Sequence, residues 1–329
     1  MVEDVFAEKY RPMTLDGVVG QEQSVELLRE YVKNKDIPHM MFAGPAGVGK
    51  TTVAQALARD LYGSKWGQYF YEMNASDERK LKDVREKIKP YAQASTVDED
   101  FRIIFLDEVD AMDWQAQPAL RRIIEKYSNK CRFILSCNYP HKIIEPIKDR
   151  CILFRFTALS KEQMIPMLKN VAEKESIDIT DSALEYLCKL TKGSMRRALG
   201  TLEKLHKGGV TNIDEEVMEK YFCYIKDDDL KKVVKAVASG DINATSEYVE
   251  DLLLNKAYAP GEIIEAFERL LRESKVLEPA DAVQAYENLG EADFRISVGA
   301  DAEIQLKVFF VSLYKQYSKK LGGEYGGKD

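Results

Sequence analysis

Gly44-Pro45-Ala46-Gly47-Val48-Gly49-Lys50-Thr51 combines glycines, a lysine and a hydroxyl at the spacing of a loop that wraps phosphate. The run before it, His39-Met40-Met41-Phe42-Ala43, has the composition of a buried strand, and residues 52–61 have helical spacing. Strand, glycine loop and helix, in that order, are the context such a loop needs. Gly44 and Gly49 allow backbone angles that a side chain forbids, so successive N–H groups converge on phosphate oxygens at the positive end of the helix that Thr52 enters. Lys50 then reaches the β- and γ-phosphates, and the Thr51 hydroxyl holds Mg²⁺. A plain Gly/Pro turn before a helix would use the same residue types without needing all eight positions.

A second group follows at Phe101-Arg102-Ile103-Ile104-Phe105-Leu106-Asp107-Glu108-Val109-Asp110, an apolar strand that ends in acid. Asp107 is suited to bind Mg²⁺ through its water shell and Glu108 to polarise an attacking water. Adjacent carboxylates leave a strand end in different directions, so each can take one task. A turn or a helix cap would also use such acids. The next apolar run, residues 132–136, leads to Asn138, whose amide can orient water or touch a γ-phosphate, and which by itself is also a turn former. Arg150 follows a polar segment and precedes another strand pattern, which suits an exposed arginine.

The elements that must position these residues are five β-rich runs, at 40–43, 69–73, 103–106, 132–136 and 152–156, alternating with helical patterns. That alternation predicts an α/β domain with a parallel five-stranded sheet covered by helices on both faces, its ligands at the carboxyl ends of the strands. Gly44, Asn74, Asp107 and Asn138 each follow a strand. Helical spacing then takes over at 161–174, 181–192 and 196–206, with Ser160 and Gln163 as a capping box and Thr180 or Asp181 as a second start. Further helical patterns lie at 230–238, 244–255, 261–273 and 304–317. Ile263, Ile264, Phe267, Leu270 and Leu271 draw one wide apolar stripe. The predicted division is 1–159 for the sheet domain, 160–225 for a small helical lid, 226–320 for an all-α collar and 321–329 for a flexible, glycine-rich tail.

With 329 residues and 45% apolar content, each of these domains can have its own core. Cys131, Cys137, Cys151, Cys188 and Cys223 are an odd number with no Cys-x-x-Cys pair, and His39, His141 and His206 are scattered. They read as reduced thiols and structural imidazoles, with neither a disulfide framework nor a zinc site. No signal pattern or membrane-length apolar span is present, so a soluble, cytoplasmic protein is expected. A net charge of −7 argues against a basic coat protein while leaving room for a local DNA-binding surface.

Together these pieces resemble the P-loop AAA+ ATPases and, within them, the clamp loaders of the archaeal replication factor C small-subunit type, over nearly the whole chain. Tyr10-Arg11-Pro12, after Glu8-Lys9, and Val18-Val19-Gly20-Gln21 are similar to the family's adenine-side segment. Asn74-Ala75-Ser76-Asp77-Glu78-Arg79 follows the second strand as in that family, and Ser136-Cys137-Asn138-Tyr139 matches its first sensor. Gly193-Ser194-Met195-Arg196-Arg197 resembles the second sensor, and Gly290-Glu291-Ala292-Asp293-Phe294-Arg295 a collar segment. The resemblance implies that Arg196 touches the γ-phosphate of the chain's own ATP. It also implies that Arg150, in Asp149-Arg150-Cys151, reaches the ATP of a neighbouring subunit in trans.

The chain departs from the family pattern at Phe6, Ala46, Lys80-Leu81, Val109 and Asp149, as a diverged second type of small subunit would. Asp149 stands where serine is usual, with a carboxylate placed to pair with Arg150.

A helix over 79–93 would put Leu81, Val84, Ile88 and Ala92 on one arc and Lys82, Arg85 and Lys89 on another beside it. In the clamp loaders this helix tracks the DNA backbone, which assigns phosphate contacts to Lys82, Arg85, Lys89 and Arg79. An ordinary solvated face, with Asp83 and Glu86, has the same pattern. The resemblance implies ATP and Mg²⁺ as cofactors. It implies other small subunits, a large subunit, a sliding clamp and primer-template DNA as partners, with hydrolysis mainly in the assembly. A nucleotide-binding scaffold with little hydrolysis and a branch-migration-type motor share parts of the pattern.

Overall fold

The computed structural model describes residues 5–77, 80–94, 101–222, 225, 227–273 and 279–325. The chain forms two compact units, Met1–Glu215 and Glu216–Asp329.

In the first unit, β1 (Met40–Ala43), β2 (Phe70–Asn74), β3 (Arg102–Asp107), β4 (Cys131–Cys137) and β5 (Ile152–Arg155) form one sheet in the order β2-β3-β4-β1-β5. Every pairing is parallel, as the alternation with helices predicts. Strand residues divide by parity between two cores. Met40, Phe42, Ile103, Phe105 and Ile134 face one side, with Val53 and Leu57 of helix Lys50–Tyr62 and Val25 and Leu28 of helix Glu22–Asn34. Met41, Ile104, Leu106, Phe133 and Leu135 face the other, with Val84, Ile88 and Ala92 and with Leu120 and Ile124 of helix Gln117–Tyr127. The central strands β1, β3 and β4 are thus buried on both faces, while Ile152 and Leu153 of the edge strand β5 stay exposed.

The stretch read as one helix over 79–93 is in three parts: a turn at Leu81–Asp83, a π-helical turn at Val84–Ile88 and an α-helical end at Lys89–Gln93. Pro90 has no N–H to donate, and a widened turn just before it absorbs the missing bond. The helices after the sheet are Lys161–Lys174, Asp181–Thr191 and Met195–Lys207. The capping box at Ser160 and Gln163 is present, and Thr180 caps the second helix. A two-residue parallel pair, Asp178–Ile179 with Asn212–Ile213, is too short to leave a sequence pattern.

The second unit contains helices Asp227–Ser239, Ile242–Glu250, Pro260–Glu273, Pro279–Ser297 and Ala302–Tyr325 among its described residues. Phe267, from the predicted stripe, packs edge-on against Phe309 and Phe310 at ring separations of 5.2 and 5.0 Å. Ile263 and Ile264 are buried with it, and Leu270 and Leu271 pack partly. Helix Pro279–Ser297 has no counterpart among the predicted helices. Its buried positions, Ala285, Leu289 and Ala292, are mostly small, while Val283, Tyr286 and Phe294 are exposed, so the 3.6-residue period is blurred.

The predicted tail also needs correction, because the last helix continues through Gly322 and Gly323 to Tyr325. Extending a long helix costs only about 1 kcal/mol per glycine, far less than starting one. Residues 326–329 lie outside the described residues, as does Cys223. No helix among the described residues is long and apolar enough to cross a membrane.

Candidate nucleotide site

The carboxyl ends of β1, β3 and β4 open into a cleft. Its lining brings together nearly every residue assigned to nucleotide: Tyr10, Arg11, Pro12, Val18 and Val19 on one side, the loop from Ala46 to Thr52, then Asp107, Glu108, Asn138 and Arg196. Gly44 and Pro45 take part through their carbonyls.

Lys50 is only 7% exposed and uses all three of its protons. Its ammonium donates to the carbonyl oxygens of Gly44 at 2.6 Å and Pro45 at 2.7 Å, and to Asn138 Oδ1 at 2.9 Å. Burial pushes its pKa below the ordinary lysine value, opposed by the Asp107 carboxylate. Asn138 and the loop lysine therefore touch directly, across 88 residues of sequence.

Gly49 takes the backbone angle expected of it, whereas Gly44 works differently. Positive φ occurs at Gly47 (79°) and Gly49 (101°), but Gly44 is needed for space: a Cβ there would lie 2.1 Å from the Phe156 carbonyl oxygen. A Cβ on Gly47 would likewise meet Ser194 Oγ at 2.2 Å. Ser194 is the N-cap of helix Met195–Lys207, so this close approach sets Arg196 against the loop.

Thr51 Oγ1 donates to Asp107 Oδ2 at 2.8 Å, and the Glu108 N–H donates to Asp107 Oδ1 at 2.9 Å. A hydroxyl and a carboxylate side by side are hard oxygen donors, the type that a small divalent cation prefers. Glu108 sits at φ 54°, a left-handed conformation uncommon for a residue with a side chain.

Asp110 supports the cleft in a way that sequence reasoning passed over. Its carboxylate accepts the N–H groups of Asn138 and Tyr139, both at 3.2 Å, and so fixes the loop that carries the amide touching Lys50. Its position in the acidic strand end was the available signal. Asp110→Ala is expected to lower the ATP turnover number about tenfold or more with little change in KM, because misplacing a positioned group by about an ångström costs up to roughly 10² in rate. Asp110→Asn keeps one acceptor and should recover part of the loss. Steady-state kinetics on both variants check this.

The apolar wall of the cleft includes Leu159, Met167, Met195 and Leu199, from the helical region after the sheet. Met195 lies inside the run 193–197 without a role assigned to it, and the other three belong to no short motif and read as ordinary core. The N-terminal segment is fastened to the same helices: the Phe6 N–H donates to Glu203 Oε2 at 3.0 Å, and Tyr10 hydrogen-bonds Glu175.

Arg150 lies elsewhere. Ile152, two residues on, pairs with Met40 at the start of β1, whereas the glycine loop follows Ala43 at its end. The length of the strand, about 13 Å at roughly 3.3 Å per residue, separates the two. The guanidinium donates to the Pro146 carbonyl at 2.6 Å and pairs with Glu125 at 2.5 Å. The expected pairing with Asp149 is replaced by this one, since adjacent residues on a helical turn do not face each other.

Lys82, Arg85 and Lys89 are exposed, and Val84, Ile88 and Ala92 are buried, as the two arcs predict. Lys82 makes a solvent-exposed contact with Glu86 at 3.9 Å. Arg79 lies outside the described residues.

The strand order, the glycine loop, the acidic strand end and the opposed arginine define an AAA-type ATPase. The family model of ATPases associated with various cellular activities matches residues 40–158, and that of the replication factor C C-terminal domain matches 225–312. Replication factor C small subunits from Natronomonas pharaonis and Archaeoglobus fulgidus are 42% and 41% identical to this chain. The matches cover 94% of it in each case, and 95% and 97% of those proteins. The chain belongs to the replication factor C small-subunit family. The Thermotoga maritima RuvB Holliday junction branch migration motor superposes with a TM-score of 0.56, covering 96% of this chain and 91% of that one. At 16% identity this likeness is one of fold alone.

Proposed function

We propose that this ATPase is a subunit of a clamp loader that uses ATP and Mg²⁺ to open a sliding clamp and place it on primer-template DNA during replication. Its partners are other small subunits, a large subunit, the clamp and the DNA. The observation that carries this reading is the separation of roles across one sheet, with the phosphate loop at the carboxyl edge and Arg150 at the amino edge. An arginine so placed is out of reach of its own chain's phosphates and available to those of a neighbour.

In this reading the loop N–H groups and Lys50 hold the β- and γ-phosphates, and Asn138 and Arg196 contact the γ-phosphate from two other elements. Glu108 takes a proton from the attacking water. Thr51 and Asp107 would hold Mg²⁺, which supplies charge neutralisation on the phosphate oxygens. Tyr10, Pro12, Val18, Val19 and the lid residues Met167 and Leu199 enclose the base and keep water out. ATP drives the assembly toward its closed interface only by as much as it binds that interface better than the open one. Hydrolysis removes the γ-phosphate contacts, and the grip on clamp and DNA relaxes.

The reconstituted assembly is expected to transfer its clamp to primed circular DNA only with ATP. Each phosphate contact adds about −0.9 to the slope of log affinity against log salt, so Lys82, Arg85 and Lys89 together account for about −2.7 per copy of the chain. Replacing all three by alanine should flatten the slope by that amount. An unchanged slope would remove this helix from the DNA surface, and ATP-independent transfer would overturn the function.

A further inference from the structure

Of the chain's two tryptophans, Trp66 packs under the Arg59 guanidinium at 4.3 Å and against Phe70, while Trp114 is 75% exposed. Trp114 is held out by its surroundings. Met112 and Ala116 on either side are buried in the core, and the Ala116 N–H closes a turn onto the Asp113 carbonyl at 2.9 Å. A short turn pinned at both ends does not let the indole fold back.

What lies beside Trp114 follows from the topology. The stretch at 81–93 leads from β2 to β3, and helix Gln117–Tyr127 leads from β3 to β4. The three strands are parallel and both helical stretches cover the same face, so the two run side by side in the same direction. Their far ends are tied together, Gln93 Nε2 donating to Tyr127 Oη at 2.8 Å. Their starts therefore share the carboxyl edge of the sheet, which brings the turn of Trp114 next to the end that carries Lys82 and Arg85.

We infer that Trp114 is a nucleic-acid contact, an aromatic platform on which an unpaired base at the junction of single- and double-stranded DNA stacks, while Lys82 and Arg85 hold the adjoining phosphates. This rests on the DNA-binding reading above. The combination of cations for the backbone with an exposed ring for a base face is the usual composition of single-strand sites. An intact duplex keeps its bases stacked on each other and offers the ring no partner. Selectivity for a junction thus requires no base-reading hydrogen bonds.

The test uses the full assembly with 5-hydroxytryptophan incorporated in this chain alone, in a Trp66→Phe background, so that Trp114 is its one labelled indole and is excited apart from the tryptophans of the partners. The probes are a primer-template oligonucleotide with a single-stranded overhang and a blunt duplex of the same paired length. Expected are quenching of the Trp114 emission by the overhang DNA and a loss of affinity of about tenfold for it in Trp114→Ala. Blunt-duplex affinity should stay within about twofold, and Trp114→Phe, which keeps a ring, should bind the overhang DNA nearly as the parent does.

Equal affinity of Trp114→Ala and parent for overhang DNA would overturn the inference while leaving the DNA-binding reading in place. So would quenching produced by the clamp or by subunit assembly before any DNA is added, which would make Trp114 a protein contact. Absence of DNA binding by the parent assembly would overturn both.

Discussion

Replacing Arg150 by alanine is expected to cut ATP turnover of the assembled complex by about 10³- to 10⁵-fold, the range for an arginine that stabilises charge on a transferring phosphoryl group. The loss should appear only after assembly, because Arg150 stands at the opposite edge of the sheet from its own chain's glycine loop. Arg150→Lys should recover little, since an ammonium lacks the planar fork that grips two phosphate oxygens at once. Turnover measured on the isolated chain and on the complex separates the possibilities. An equal loss in both would place Arg150 in its own pocket, and no loss in the complex would remove it from the chemistry. The Glu125 carboxylate and the Pro146 carbonyl restrict the rotamers of the Arg150 side chain.

The second large effect is expected at Glu108. Glu108→Gln keeps size and hydrogen-bonding shape but cannot take a proton, so turnover should fall by about 10²- to 10⁴-fold while ATP is still retained. Rapid-quench hydrolysis with a filter assay for bound nucleotide checks both halves of this statement. The split is expected because the groups assigned to the phosphates, Lys50 and the loop N–H groups, are untouched by the change. Unchanged turnover would instead favour a chain that binds nucleotide as an assembly signal and hydrolyses little.

Much of the sheet and most of the cleft were legible because they depend on short-range patterns. A phosphate loop needs its glycines, lysine and hydroxyl within eight residues, and a buried parallel strand needs an unbroken apolar run, so both are visible in one stretch of sequence. What could not be read depends on distant parts meeting. The need for glycine at position 44 comes from the Phe156 carbonyl more than a hundred residues away. Asp110 acts on Asn138 and Tyr139 through backbone N–H groups, which carry no residue signature. Glu125 meets Arg150 because a helix end and a loop share one edge of the sheet. Met167 and Leu199 line the cleft with side chains indistinguishable in sequence from core. Helix Pro279–Ser297 was hidden because small residues fill its buried face.

The placement of the glycine loop and Arg150 at opposite ends of the paired strands β1 and β5 also gives each subunit a direction. If Arg150 acts as proposed, copies joined through that contact stack head to tail, each offering an arginine forward and a waiting pocket behind. If such a row closes on itself, every pocket is completed. If it stays open, as a spiral must to admit DNA from the side, one terminal pocket lacks its arginine and one terminal arginine lacks its phosphate. An open row of these subunits therefore carries one fewer working ATPase centre than it has members, and its two ends are chemically unlike.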